Sequence, residues 1–309
     1  MMPKTAKYVL LFAAVLLASA VCIVLMFRPR AVNIVYMADA RYLPYVMVSL
    51  ESAIASKNKE TQYHVHIIAK DFAPEDTAKI RKMAQDDVTI ELYPAREPKL
   101  DYARLGRFSS FKISLQKLFI ADYLPSLGKV LYLDADTLVQ ADLSEVYETD
   151  LRGKYAAAVK DGLMYQFPGH VAGMDLGGRE FYFNSGVMLL NLAQIRKDDI
   201  MRRAVIYFNT HNEVFGDQDV LNVVFGSKVV PLSYRYNCNS TFFEEKDAAF
   251  LSKFFNETVP QNPREVYDSA AILHFAGHKP WTPWFSHSYL KPLWYRYAAT
   301  VAEKYQMTF

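Results

Sequence analysis

The most chemically loaded residues of this chain are two carboxylates two positions apart. Val130-Leu-Tyr-Leu-Asp134-Ala135-Asp136-Thr leaves an apolar, strand-like run and at once presents Asp134 and Asp136. In an extended segment, side chains at i and i+2 point the same way. Two hard oxygen ligands so placed suit Mg²⁺ or Mn²⁺ carrying a diphosphate. Two other readings stand beside this one. A carboxylate pair also caps and turns the end of a strand. An apolar strand followed by Asp-x-Asp-x-Thr also resembles the motif of haloacid-dehalogenase-type phosphatases, with Asp134 as nucleophile and Asp136 as general acid. That family places the pair on its first strand, whereas at least three strand-like runs precede it here.

Other polar segments accompany the pair. Asp39 ends the run Val32-Asn-Ile-Val-Tyr-Met, and Asp161 follows Ala156-Ala-Ala-Val-Lys. Phe183-Asn184-Ser185-Gly precedes an apolar stretch, and Gly216-Asp217-Gln218-Asp opens another. His274-Phe-Ala-Gly277-His-Lys279-Pro-Trp281 closes the series. Gln116-Lys117 lies 17 residues before Asp134. Taken singly these residues say little: a lone histidine is more often a satisfied core residue, and a helix lysine is more often solvated.

The elements that must position them alternate. Val32–Met37, His64–Ile68, Val88–Tyr93, Val130–Leu133, Ala156–Val159 and Gly186–Leu190 read as strands. Residues 44–57, 75–86 and 111–123 carry helical apolar spacing, the last closed by Pro125. Strand then helix, repeated, predicts a mainly parallel α/β sheet with its ligand at the carboxyl ends of the strands. The stretch from Asn262, rich in Trp, Tyr, Pro and His, reads as an appended subregion.

With four motifs in this order, from about Ile34 to Trp281, the chain resembles glycosyltransferase family 8, which includes glycogenin and the lipooligosaccharide α-galactosyltransferases. The resemblance implies a GT-A fold, a Rossmann-like nucleotide-sugar-binding sheet. It implies Mn²⁺-dependent (or Mg²⁺-dependent) retaining transfer of a hexose, galactose or glucose, from a UDP-sugar to a glycan, glycolipid or glycoprotein. It makes Asp134, Asp136 and His274 the metal ligands and sets Lys279 and the Gly277 backbone on the diphosphate. Asp39 matches the residue near the uridine. Lys117, Ala135, Asp161, Asn184 and Ser185 match donor contacts, and Asp217 and Gln218 the catalytic positions near the donor sugar. The chain departs from the family at Arg41, where several relatives carry an uncharged polar residue, and in a Gly277-His-Lys279 segment one residue shorter than in some. A catalytically degenerate UDP-sugar-binding membrane protein is the alternative, less favoured because every motif residue is present.

Composition bounds these readings. The 309 residues carry a net charge of +2, with 51% hydrophobic residues, which excludes disorder and argues against nucleic-acid binding. Cys22 and Cys238 are the only cysteines, so a cysteine zinc site is excluded. Tyr8–Phe27 is an uncharged run of 20 residues, long enough for one hydrocarbon core and longer than a signal-peptide core. The sequence therefore predicts an uncleaved membrane anchor over residues 1–30, with a transmembrane helix at 8–27, ahead of a catalytic domain at 31–309. That predicts a single-pass protein of the bacterial inner membrane or the Golgi membrane. Without residues 1–30 the chain loses four basic residues and stands at −2.

Overall fold

The strand-like runs become the strands of one twisted sheet. The structure is a computed structural model that describes residues 30–211, 215–285 and 289–309. In chain order the strands are β1 Arg30–Asp39, β2 Thr61–Lys70, β3 Val88–Pro94, β4 Lys129–Leu133, β5 Thr137–Val139, β6 Ala156–Lys160, β7 Phe183–Asn191, β8 Val229–Leu232, β9 Cys238–Asn239 and β10 Ile272–His274. Seven of them form the main sheet, in the order β3-β2-β1-β4-β7-β6-β8. β1 pairs in parallel with β2 and β4, β2 with β3, and β6 with β8; β7 runs antiparallel to both β4 and β6. β5, β10 and β9 form a small second sheet.

The period-two alternation buries both faces. On β1, Val32, Ile34, Tyr36 and Ala38 pack into one core, and Val35 and Met37 into the other. β4 does the same, with Leu131 and Leu133 on one side and Val130 and Tyr132 on the other. Residues buried on both sides are what a parallel sheet covered by helices requires. Helices Leu43–Ser56 and Leu290–Tyr305 cover the first face, joined by an ion pair from Lys304 to the buried Glu51 at 2.5 Å. Helices Ile200–Thr210 and Asp217–Phe225 cover the second.

Four expectations change. The segment predicted as an α-helix over 111–123 is 3-10 from Tyr102 to Phe119 and α only at Ile120–Tyr123. Side-chain bonds hold it: Gln116 Nε2 donates to the Arg96 carbonyl at 2.8 Å, and the Tyr123 hydroxyl donates to Gln116 Oε1 at 2.6 Å. The predicted helix 75–86 ends at Arg81, where the chain turns into the Gln85–Val88 bridge. The stretch from Asn262 is no appendage, because β10 lies between β5 and β9. The preceding transmembrane helix and the single-pass placement are also corrected. Among the described residues no helix is long and apolar enough to cross a membrane, and the run at 8–27 lies outside the described residues.

Candidate active site

Strand ends converge on one cleft of about 480 Å³ beside the carboxyl end of β4. Asp134 follows β4, and its amide donates to the Gly186 carbonyl on β7 at 2.7 Å. The chain then enters β5, which pairs antiparallel with β10 so that His274 stands opposite Thr137. The Phe275 amide donates to the Asp136 carbonyl at 3.0 Å, which locks the pairing next to both carboxylates. Residues far apart in sequence therefore meet: ligand atoms of Asp134, Asp136 and His274 all lie within 4.8 Å of one another. His274 Nε2 is 3.4 Å from Asp136 Oδ1 and 3.7 Å from Asp134 Oδ2.

The donor set fits a divalent cation. Two carboxylate oxygens and an imidazole nitrogen suit Mn²⁺, and also Mg²⁺ with water completing the shell. The space between them exists because residue 186 is glycine. A Cβ there would lie 2.2 Å from His274 Cε1 and 2.8 Å from Asp134 Oδ2.

Two lysines balance the carboxylates. Lys117 is buried, with Nζ 3.2 Å from Asp134 Oδ1 and 2.9 Å from Asp217 Oδ2. Lys279 pairs with Asp136 Oδ2 and donates to the Phe275 carbonyl at 2.9 Å. Burial alone would disfavour both charges, yet the facing carboxylates win and raise both lysines above their ordinary range. For Asp136, burial is outweighed by Lys279 and His274, which hold it well below the usual carboxylate range. Asp134 goes the other way: burial and the Asp136 charge push it up against the pull of Lys117 and His274. The Tyr132 hydroxyl donates to Asp134 Oδ1, which leaves Oδ2 facing His274.

The remaining predicted residues group around this centre. Asp217 and Gln218 open helix Asp217–Phe225 after Gly216, whose φ of +58° favours glycine at that turn. Asp217 Oδ2 accepts from Ser185 Oγ at 2.9 Å, and Gln218 Oε1 accepts from the Ser185 amide at 3.0 Å. Asn184, Ser185, Ala135, Asp39, Gly277 and Lys279 line the cleft. Both oxygens of Asp39 are taken up by Arg41 through its amide and guanidinium. Asp161 does not line the main cleft. It braces the cleft from behind, its Oδ2 accepting from Asn184 Nδ2 at 2.7 Å and Gln218 Nε2 at 3.2 Å. Tyr42 and Tyr132 also line the cleft and were not predicted. Nor was Asn237, buried behind His274. Tyr132 had a signal, since it shares a strand face with Asp134. Asn237 had none, because it lies in a short irregular segment whose role depends on what packs beside it.

Comparison with known proteins gives the family and the fold. The family model for glycosyl transferase family 8 matches residues 33–285. The chain is similar to a lipopolysaccharide 1,2-glucosyltransferase of Escherichia coli K12, at 29% identity over 82% of this chain and 74% of that one. It is 27% identical to a Haemophilus influenzae relative over 69% of this chain and 64% of the relative's length, so it spans just under two thirds of that protein. Among solved structures, the galactosyltransferase LgtC in complex with donor and acceptor sugar analogues superposes with a TM-score of 0.68. It shares 22% identity and covers 87% of this chain and 95% of that one. At that identity the superposition speaks for the fold, a GT-A-like α/β architecture.

Proposed function

The chain belongs to glycosyltransferase family 8, and from that premise we propose that it transfers glucose or galactose from a UDP-sugar, with retention, to a glycan, glycolipid or glycoprotein hydroxyl. The observation that carries this reading is the meeting of Asp134, Asp136 and His274 beside Lys117 and Lys279 in one cleft. Residues 31–309 act as one catalytic domain.

Asp134, Asp136 and His274 hold the divalent cation, Mn²⁺ or Mg²⁺. When bound, it supplies positive charge to the diphosphate that leaves as the sugar–oxygen bond breaks. Lys279 adds a cationic donor on the same side, and the Gly277 backbone, at φ +89°, lets the chain approach that group closely. Asp39 faces the nucleoside. Lys117, Ala135, Asn184 and Ser185 contact the donor, with Asp161 bracing Asn184 and Gln218. Asp217 is committed to Lys117 and Ser185, which argues against its serving as a free nucleophile. Front-face transfer, with the departing phosphate taking the acceptor proton, therefore fits better than a double displacement. Gln218 is the group nearest in chemistry to a neutral contact with the sugar.

The phosphatase reading loses ground because β1, β2 and β3 all precede the Asp pair. A test measures UDP release from UDP-glucose and UDP-galactose with Mn²⁺. Asp134→Asn is expected to lower turnover roughly a hundredfold or more while the fold persists. Near-normal turnover would remove the cation site from the reading. Binding of UDP-sugars by the unaltered chain without turnover of any donor would favour the degenerate binding protein.

A further inference from the structure

The geometry points to a relay of hydrogen-bond polarity, running from Asp161 through Asn184 and Asn237, that fixes which nitrogen of His274 is free for the cation. Each step follows from what the groups can donate or accept. An ionised carboxylate only accepts, so the group of Asn184 facing Asp161 Oδ2 at 2.7 Å is its NH₂. A backbone N–H only donates, so the Asn184 atom that meets the Gly186 amide at 2.9 Å is Oδ1. The two constraints agree, and both place Asn184 Oδ1 toward Asn237. Asn237 must then turn its NH₂ to Asn184 Oδ1, at 2.8 Å, and its own Oδ1 to His274 Nδ1, at 2.9 Å.

The last link decides the tautomer. A proton on Nε2 alone would set two lone pairs, on Nδ1 and Asn237 Oδ1, against each other in a buried site. Nδ1 of His274 therefore carries a proton and donates it to Asn237 Oδ1. Nε2, which faces Asp134 and Asp136, is then the nitrogen left to offer a lone pair to a cation. Asn237 acts as the positioning residue for this ligand, and Asn184, held by both Asp161 and the Gly186 amide, orients Asn237. The same Asp161 oxygen also accepts from Gln218 Nε2, while Gln218 Oε1 is fixed by the Ser185 amide. One carboxylate thus orients both the cation ligand and an amide of the sugar end of the cleft.

The relay rests on the reading of Asp134, Asp136 and His274 as cation ligands, and two measurements separate the two ideas. The first is the ¹⁵N resonance pattern of His274 in the cation-free, full-length protein, assigned with His274→Gln. The relay expects a proton on Nδ1, whether or not the facing carboxylates also keep one on Nε2. An unprotonated Nδ1 overturns it, whether or not the site binds a cation. The second is calorimetric titration with Mn²⁺ alone of the unaltered chain, Asp161→Asn and Asn237→Leu. Asn237→Leu removes the acceptor of Nδ1 outright and is expected to admit the Nε2-protonated form and to weaken Mn²⁺ binding by on the order of tenfold. Asp161→Asn still offers an oxygen to Asn184 while the Gly186 amide holds Asn184 Oδ1, so it is expected to keep the tautomer and most of the affinity. An unchanged tautomer and an unchanged Mn²⁺ affinity in Asn237→Leu would overturn the relay. Absence of Mn²⁺ binding by the unaltered chain would instead overturn the cation site.

Discussion

At the scale of single residues, Lys117 shows how far a side chain's meaning depends on its surroundings. Its place in sequence suits a solvated helix lysine as well as a donor contact. Folded, it is buried between Asp134 and Asp217 and lies 4.8 Å from the Tyr132 ring centre. Removing one partner of a buried charged set leaves the others uncompensated. Lys117→Met is therefore expected to destabilise the protein by roughly 3 kcal/mol in urea unfolding, because the buried Asp217 and the partly exposed Asp134 lose their shared cation. A loss below about 1 kcal/mol would mean that water, not Lys117, carries those charges. Asp134, Asp136 and His274 could be found without the fold because their types and motif context are informative. Tyr132 was legible only through its strand face, shared with Asp134, and Asn237 not at all, since an asparagine acquires this role only from its neighbours.

Among the elements, strand identity followed from β-branched, alternating runs, while boundaries and pairing partners did not. β5, β9 and β10 are two or three residues each, too short to show a period. Yet β10 is what brings His274 to the carboxylates. The parallel pairing of β1, β2 and β3 also creates a polar position of its own. On β2, His66 is buried with Nε2 3.3 Å from Asn33 Oδ1 on β1 and Nδ1 3.3 Å from the Tyr93 hydroxyl on β3, with Glu91 and His64 nearby. Burial holds its imidazole below the ordinary histidine range, against the pull of Glu91. Above about pH 6.5 both folded and unfolded chains carry it neutral. As pH falls below that value the unfolded chain takes up a proton that the fold resists, so stability is lost on the acid side. The urea midpoint is expected to fall from pH 7 to pH 5, with a shallower fall in His66→Gln. Parallel slopes for the two proteins would place the loss at another group.

Over the whole molecule, the C-terminal helix Leu290–Tyr305 closes the core against Leu43–Ser56 and carries the aromatic stack that reaches the site. Trp281, two residues beyond Lys279, stacks on Tyr45 at 3.7 Å, and the buried Trp294 lies 5.1 Å from Trp281. Trp294→Ala should cost about 3–5 kcal/mol of stability by thermal or urea unfolding, with turnover per folded molecule retained. Equal loss of turnover at temperatures where the variant is fully folded would instead make the stack part of the site. Composition, alternation and motif order by themselves determined an α/β chain, its main strands and most of the cleft residues, because side-chain periodicity and chemical type are local properties. The fold decided what depends on distance. It inserted β10 between β5 and β9, ran β7 antiparallel, moved Asp161 behind the cleft, and buried Lys117 between two carboxylates. These outcomes arise from contacts between segments far apart along the chain, where burial and hydrogen-bond satisfaction, not local preference, select the partner.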